Sequence, residues 1–186
     1  MSVILYPVMI SPADQFIISE MVSLAVWDVV SKHTQNARIK WPNDIYVGND
    51  KIAGILIENS IMGEILGSSI AGIGLNVNQT LFLSGAPNPV SLKQVTGTTH
   101  YLKAVKEDMT AALDRRYAMV ISGEKATLES EYNRVLYRVG EWHRYSDDSG
   151  EFEGMIEGVR ADGMLSVTKR DGTRHLYAFR EIDYIL

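Results

Sequence analysis

The chain has 186 residues, 46% of them hydrophobic and 22% charged, a balance that fits a folded protein with a buried core and excludes a disordered tail. Eighteen Lys and Arg against 23 Asp and Glu leave a net charge of -5, so no overall positive field exists to gather nucleic acid or anionic lipid. The absence of cysteine excludes disulfide scaffolds, thiolate metal sites and cysteine nucleophiles, and it agrees with a cytoplasmic location.

The N-terminus carries neither a secretory signal nor an apolar run of membrane-spanning length. It opens instead on a β-branched apolar run, Val3 to Val8, with no polar lead-in, so the chain is expected to begin mid-fold. Ser11-Pro12-Ala13-Asp14 supplies a capping hydroxyl, a proline for the first helical position and a carboxylate three residues after the cap, which predicts a helix from Pro12 to Ser31. Apolar residues occupy most of its circumference, so it should be largely buried. Strand-like segments follow at Arg38–Trp41, Ile45–Val47, Lys51–Glu58 and Ser68–Asn76, separated by turn signals at Pro42-Asn43-Asp44, Gly48-Asn49-Asp50 and Gly63. An antiparallel meander is expected.

Ser84 to Thr98, with Gly85, Pro87, Pro89 and Gly97, reads as loop. Thr99 to Ser122 has helical spacing and is stopped by Gly123, and a further helix is predicted over Lys125 to Tyr137. After Gly140 the pattern becomes short alternating strands punctuated by Asp148-Ser149-Gly150, Asp162-Gly163 and Asp171-Gly172, which reads as a small β-barrel. The division expected is an α/β body over 1–140, with twelve basic against thirteen acidic residues, and a more acidic barrel over 141–186, with six against ten.

Generic motifs are few. There is no phosphate loop and no nucleophile elbow, and Gly72-Ile73-Gly74 lacks the third glycine of a dinucleotide fingerprint. His33, His100, His143 and His175 have no carboxylates at ligand spacing and are assigned no role. What remains is a set of polar residues and glycines between apolar strands: Lys40-Trp41-Pro42-Asn43-Asp44, Lys51-Ile52-Ala53-Gly54-Ile55-Leu56 and Gly72-Ile73-Gly74-Leu75-Asn76. A cation, a carboxylate, amides and unhindered backbone are what binding a nucleotide phosphate and a carboxylate substrate requires. Asp44 and Lys51 stand seven apart across a tight turn, and in a hairpin both side chains can converge on one mouth of the sheet. The same spacing also fits a plain Asn-Asp turn followed by a solvated lysine.

These three strings, in this order, closely resemble the biotin protein ligase family, the biotin-[acetyl-CoA-carboxylase] ligases. The segment from Glu151 through Ile182 is similar to that family's C-terminal domain. The resemblance implies an α+β fold with a mixed or antiparallel sheet packed by helices, like class II aminoacyl-tRNA synthetases, followed by a small SH3-like β-barrel. It implies ATP-dependent formation of biotinyl-5′-AMP and transfer of biotin to a lysine of a biotin carboxyl carrier protein. Lys51 matches the catalytic lysine, and Asp44 the acidic residue near metal and phosphate, which makes Asp44 the candidate Mg²⁺ ligand. Asn43 would orient phosphate or water, Asn76 would read adenine, and Gly54, Gly72 and Gly74 would let the backbone approach the ligand. Trp41 is expected to serve packing.

One family feature has no counterpart. The Gly-Arg-Gly loop that folds over biotin, and the strands preceding the one that resembles Val3–Val8, do not occur in these residues. The chain is therefore expected to lack the N-terminal part of the catalytic domain, to leave a sheet edge open to self-association or homodimer formation, and to have no DNA or membrane role. A non-catalytic remnant, or a module that binds a nucleotide or a partner protein, is the alternative the missing loop raises.

Overall fold

The computed structural model describes residues 1–83 and 88–185, in two antiparallel sheets and four α-helices. The first sheet contains β1 (Ser2–Leu5), β2 (Ala37–Lys40), β3 (Asp44–Val47), β4 (Asp50–Met62) and β5 (Ile65–Leu75), in the order β1-β5-β4-β3-β2. The meander from β2 to β5 is therefore as the turn signals predict. Gly48-Asn49 and Gly63-Glu64 form two-residue hairpin connections, and the glycines take φ of 59° and 63°, which an L side chain would resist.

Helix α1 (Phe16–Ser31) covers one face of this sheet, with eleven of its sixteen residues buried. Its start differs from expectation: Pro12–Asp14 form a 3-10 turn, and Ser11 Oγ donates to Asp14 Oδ2 at 3.1 Å instead of capping the backbone. Helices α3 (Leu102–Ile121) and α4 (Lys125–Arg134) pack on α1. Arg116 of α3 ties the three together through a two-pronged pair with Asp28 of α1 at 2.8 and 2.9 Å and a contact with Glu131 of α4. The last helix ends at Arg134, short of the predicted Tyr137, because the chain turns there to lie along the outer edge of β2. Ile39 N donates to Val135 O, and Tyr137 N donates to Ile39 O. The outer edge of β1 has no such cover among the described residues.

The stretch predicted as loop, Ser84 to Thr98, contains a short helix α2 (Leu92–Thr96). Ser91 and Gln94 satisfy each other's backbone N–H in a capping box, and Gly97 closes the helix with φ of 73°. Gly85 and Pro87 of that stretch lie outside the described residues.

The second sheet contains β6 (Trp142–Asp147), β7 (Gly150–Val159), β8 (Leu165–Lys169), β9 (Arg174–Tyr177) and β10 (Asp183–Tyr184), in the order β10-β6-β7-β8-β9. All three predicted glycine turns are present, with φ of 115°, 87° and 84° at Gly150, Gly163 and Gly172. Strands β9 and β10 are its edges and do not pair with each other among the described residues. Gly163 is required where the sheets meet: a Cβ there would lie 2.7 Å from the ring of Phe16, and its carbonyl accepts the indole N–H of Trp41 at 3.0 Å. Trp41, 4% exposed, is thus a packing residue, as expected. Among the described residues no helix is long and apolar enough to cross a membrane.

Glu20 lies inside α1, buried, with Oε1 lacking a hydrogen-bond partner. Burial, with the negative charge of Glu129 adding to it, pushes this carboxyl up from its usual 4.5 to about 8. Between those values the unfolded chain releases a proton that the folded chain keeps, so this residue makes stability fall as pH rises. The Glu20→Met variant should lose that fall between pH 4.5 and about 8 and melt several degrees higher at the alkaline end, on the order of the 4 °C per kcal/mol that a small domain shows. Thermal melts across that pH range check it; an unchanged slope contradicts it.

Candidate active site

The face of the first sheet opposite α1 carries the candidate residues, and strand register explains why. In the β3–β4 pair, Asp44 stands opposite Gly54 and Ile45 opposite Ala53, but Tyr46 stands opposite Lys51. Ile52 is an extra residue, a bulge. In a regular ladder Lys51 would point to the helix side, because side chains alternate strictly along a strand. The bulge shifts the alternation by one, leaves Ile52 and Ala53 both buried beneath the sheet, and turns Lys51 onto the face of Asp44. There Lys51 Nζ meets Asp44 Oδ1 at 2.6 Å, with side chains 28% and 19% exposed. The pair is accessible but partly shielded from water, which strengthens its field relative to a surface pair.

Glycines form the floor beside it. Gly54 pairs with Gly74 across β4 and β5, and Leu56 pairs with Gly72, so all three glycines share the face of the ion pair. Gly54 is the tight position: a Cβ there would lie 3.3 Å from Lys51 Cε and 3.4 Å from Asp44 Oδ1. Gly72 and Gly74 have room above them, so their effect is to leave the floor low. The resulting hollow, about 500 Å³, is lined by Asn43, Asp44, Lys51, Gly54, Gly72 and Gly74, with Met1, Ser2 and Leu56 at its margin. A neighbouring hollow of about 380 Å³ shares Asn43, Ile55 and Leu56 and runs to Trp41 and Phe179.

Six of the seven sequence-predicted residues therefore meet at one place. Asn76 does not line that hollow: its Nδ2 donates to Val90 O at 3.1 Å, fixing the segment before α2, while Oδ1 accepts no hydrogen bond among the described residues. Asn43 lines the hollow, yet its Nδ2 also donates to Ile55 O at 2.7 Å and clamps the β2–β3 turn to β4. Met1, Ser2 and Leu56 carried no sequence-level signal of their own; the pairing of β1 with β5, which sets Ser2 opposite Gly72, brings them in.

At the β2–β3 end the same face is covered by the second sheet. Lys40 stands directly across from Asp44, and its Nζ lies 4.2 Å from the ring centre of Tyr184 and 5.5 Å from that of Tyr46. Burial holds the Lys40 ammonium below the usual lysine range. Burial pushes the Tyr46 hydroxyl up to about 12, with Asp44 adding to the effect. Among the described residues no group of three or more His, Asp or Glu side chains could cage a metal ion, so Asp44 offers a single carboxylate.

Residues 2–76 match the model of the biotin/lipoate A/B protein ligase family. The bifunctional ligase/repressor BirA of Bacillus subtilis is 27% identical over 149 residues, covering 75% of this chain and 44% of the relative. Biotin–protein ligase 2 of Arabidopsis thaliana is 38% identical over 168 residues, covering 83% of this chain and 49% of the relative. The chain thus spans less than half the length of these two proteins. The biotin protein ligase of Aquifex aeolicus, solved in complex with biotin and ATP, superimposes with a TM-score of 0.76 at 21% identity, over 98% of this chain and 75% of that one.

The geometry at Gly54 generates a test. Gly54→Ala should leave the melting temperature within a few degrees and the ion pair in place, because the flexible ends of Lys51 and Asp44 need give only a few tenths of an ångström, whereas the larger Gly54→Leu should push Lys51 off Asp44 and raise its labelling by an amine-reactive reagent. Peptide mass spectrometry reads the labelling; a Gly54→Leu rate equal to the parent's contradicts this account of Gly54.

Proposed function

Because the chain belongs to the biotin protein ligase family, we propose that it carries the ligase chemistry of that family: biotin and ATP give biotinyl-5′-AMP, and biotin then passes to a lysine of a biotin carboxyl carrier protein. The observation that carries this reading is the Lys51–Asp44 pair, held at 2.6 Å over a floor of glycine backbone. In the first step a carboxylate oxygen of biotin attacks the α-phosphorus of ATP and pyrophosphate leaves. Negative charge builds on the phosphate oxygens, and an ammonium with three donors on a flexible stem stabilises it where it develops. In the second step the amine of the acceptor lysine attacks the acyl carbonyl, loses a proton and displaces AMP. Lys51 again faces the oxygens that gain charge.

An incoming polyphosphate competes with Asp44 for Lys51 and frees the carboxylate. A lone carboxylate suits Mg²⁺, which keeps most of its waters and is bound by one or two carboxylates together with substrate phosphates. Asp44 would hold such an ion, which would help neutralise phosphate charge. Gly54, Gly72 and Gly74 let the substrate lie against the sheet, and Leu56, 63% exposed beside them, offers an apolar surface to the rings and alkyl chain of biotin. Asn43 orients phosphate through the second N–H of its amide, or a water through its Oδ1, and the free Oδ1 of Asn76 serves the adenine side. Since α1 covers the other face, the carrier lysine approaches from the open side.

Residues 1–140 are read as a catalytic unit of the class II aminoacyl-tRNA synthetase type, and 141–186 as an SH3-like unit; five consecutive antiparallel strands joined by glycine turns support the second reading, although the sheet is open between β9 and β10 and no closed barrel forms among the described residues. The site of action is cytoplasmic, where ATP and carrier protein are present, and the chain acts on protein and not on DNA. The uncovered edge of β1 is a place for a second copy to pair.

Two outcomes test this reading. Lys51→Ala should lower biotin-dependent exchange of pyrophosphate into ATP by about 10²- to 10³-fold, the cost of removing one preorganised charge-stabilising donor, while the fold is retained. An exchange rate equal to the parent's removes Lys51 from the chemistry. Sedimentation at rising concentration should show reversible self-association that an added charge at the exposed Ile4 weakens; a monomer throughout contradicts the edge pairing.

A further inference from the structure

Lys51 is not the site's net positive charge, because Asp44 compensates it at 2.6 Å. The neighbouring cation is Lys40, which forms no ion pair among the described residues although it is half-buried. A buried ammonium without a carboxylate is costly, and a ring face is the substitute at hand. Tyr184 supplies that face from the second sheet, at 4.2 Å, and Tyr46 adds a second ring from β3. Tyr184 is itself fixed by Tyr145, at 5.3 Å between ring centres, and by Tyr137, at 6.1 Å. The charges that act on Lys40 from the elements around it are Asp44 and Asp183, which favour its cation, and Lys51 and Arg138, which oppose it.

We infer that Lys40 is a positioning residue for the nucleotide, holding a net positive charge one strand from the hollow, and that Tyr184 is the contact through which the second sheet keeps it there. The inference rests on the ligase reading and deepens it. Register supports it: Lys40 and Asp44 are direct cross-strand partners, so their side chains rise on the same face, and Asp44 is the wall of the hollow. With Lys51 and Asp44 cancelling each other, Lys40 decides whether the hollow presents zero or positive charge to a polyphosphate. The second sheet thereby acts on nucleotide affinity without lining the phosphate end of the hollow.

The experiment is ATP titration by calorimetry, paired with steady-state KM and kcat for pyrophosphate exchange. Lys40→Met should weaken ATP binding and raise the KM for ATP by about tenfold, the effect of one partly screened charge, with kcat changed far less. Lys40→Arg, which keeps the charge, should restore affinity to within about threefold. Tyr184→Leu should weaken binding in the same direction and Tyr184→Phe should not, and Lys40→Met with Tyr184→Leu should be no weaker than Lys40→Met alone. If Tyr184→Leu fails to fold, the two Lys40 variants decide the matter. A parent chain that binds no ATP overturns the ligase reading and this inference with it. A parent that binds ATP alongside a Lys40→Met variant of equal affinity, or a Tyr184→Phe variant as weak as Tyr184→Leu, overturns this inference alone.

Discussion

One extra residue in one strand sets the chemistry of the open face. Without the bulge at Ile52, the alternation of β4 would send Lys51 into the apolar layer under α1, where an ammonium has no partner, and would leave Asp44 facing water alone. With it, two consecutive apolar residues are buried and the lysine comes up beside the carboxylate. The core and the site are therefore solved together: the burial of Ile52 and Ala53 that stabilises the sheet also holds the cation in place.

The pair would be of little use over a floor of ordinary side chains. Because β4 and β5 are long and paired through most of their length, Gly54, Gly72 and Gly74 fall on one face in alternate rungs, and the sheet itself becomes the binding surface. Such a stretch of glycine weakens a sheet, since it adds no side-chain packing and carries a larger entropy cost on folding. The loss is offset from below, where Ile55, Ala71 and Ile73 are buried in the apolar core, and at the β2 end, where Trp41 and the tyrosines join the second sheet to the first.

Much of this was legible in the sequence, for reasons that differ by element. The hairpins could be read because Gly48 and Gly63 sit where a two-residue turn needs positive φ, and the burial of α1 because apolar residues surround it. Helix α2 was hidden by its length and by the glycines and prolines around it, although Ser91 and Gln94 already stood at capping-box spacing. The convergence of Asp44 and Lys51 was expected from a hairpin, yet a regular hairpin would have separated them. The adjacent apolar pair Ile52-Ala53, which breaks strict alternation, was the local sign of the bulge. The commitments of Asn43 to Ile55 and of Asn76 to Val90 reach across twelve and fourteen residues, so only the folded chain reveals that each amide has already committed one of its two N–H donors. The same is true of Lys40, whose ring partner Tyr184 comes from the far end of the chain.

The most direct test of the account is a crystal structure of this chain grown with ATP. The polyphosphate is expected over the Gly54, Gly72 and Gly74 floor, with a phosphate oxygen within hydrogen-bond distance of Lys51 Nζ and Asp44 drawn away from that ammonium. Nucleotide bound elsewhere on the molecule, with the Lys51–Asp44 pair undisturbed, would contradict it.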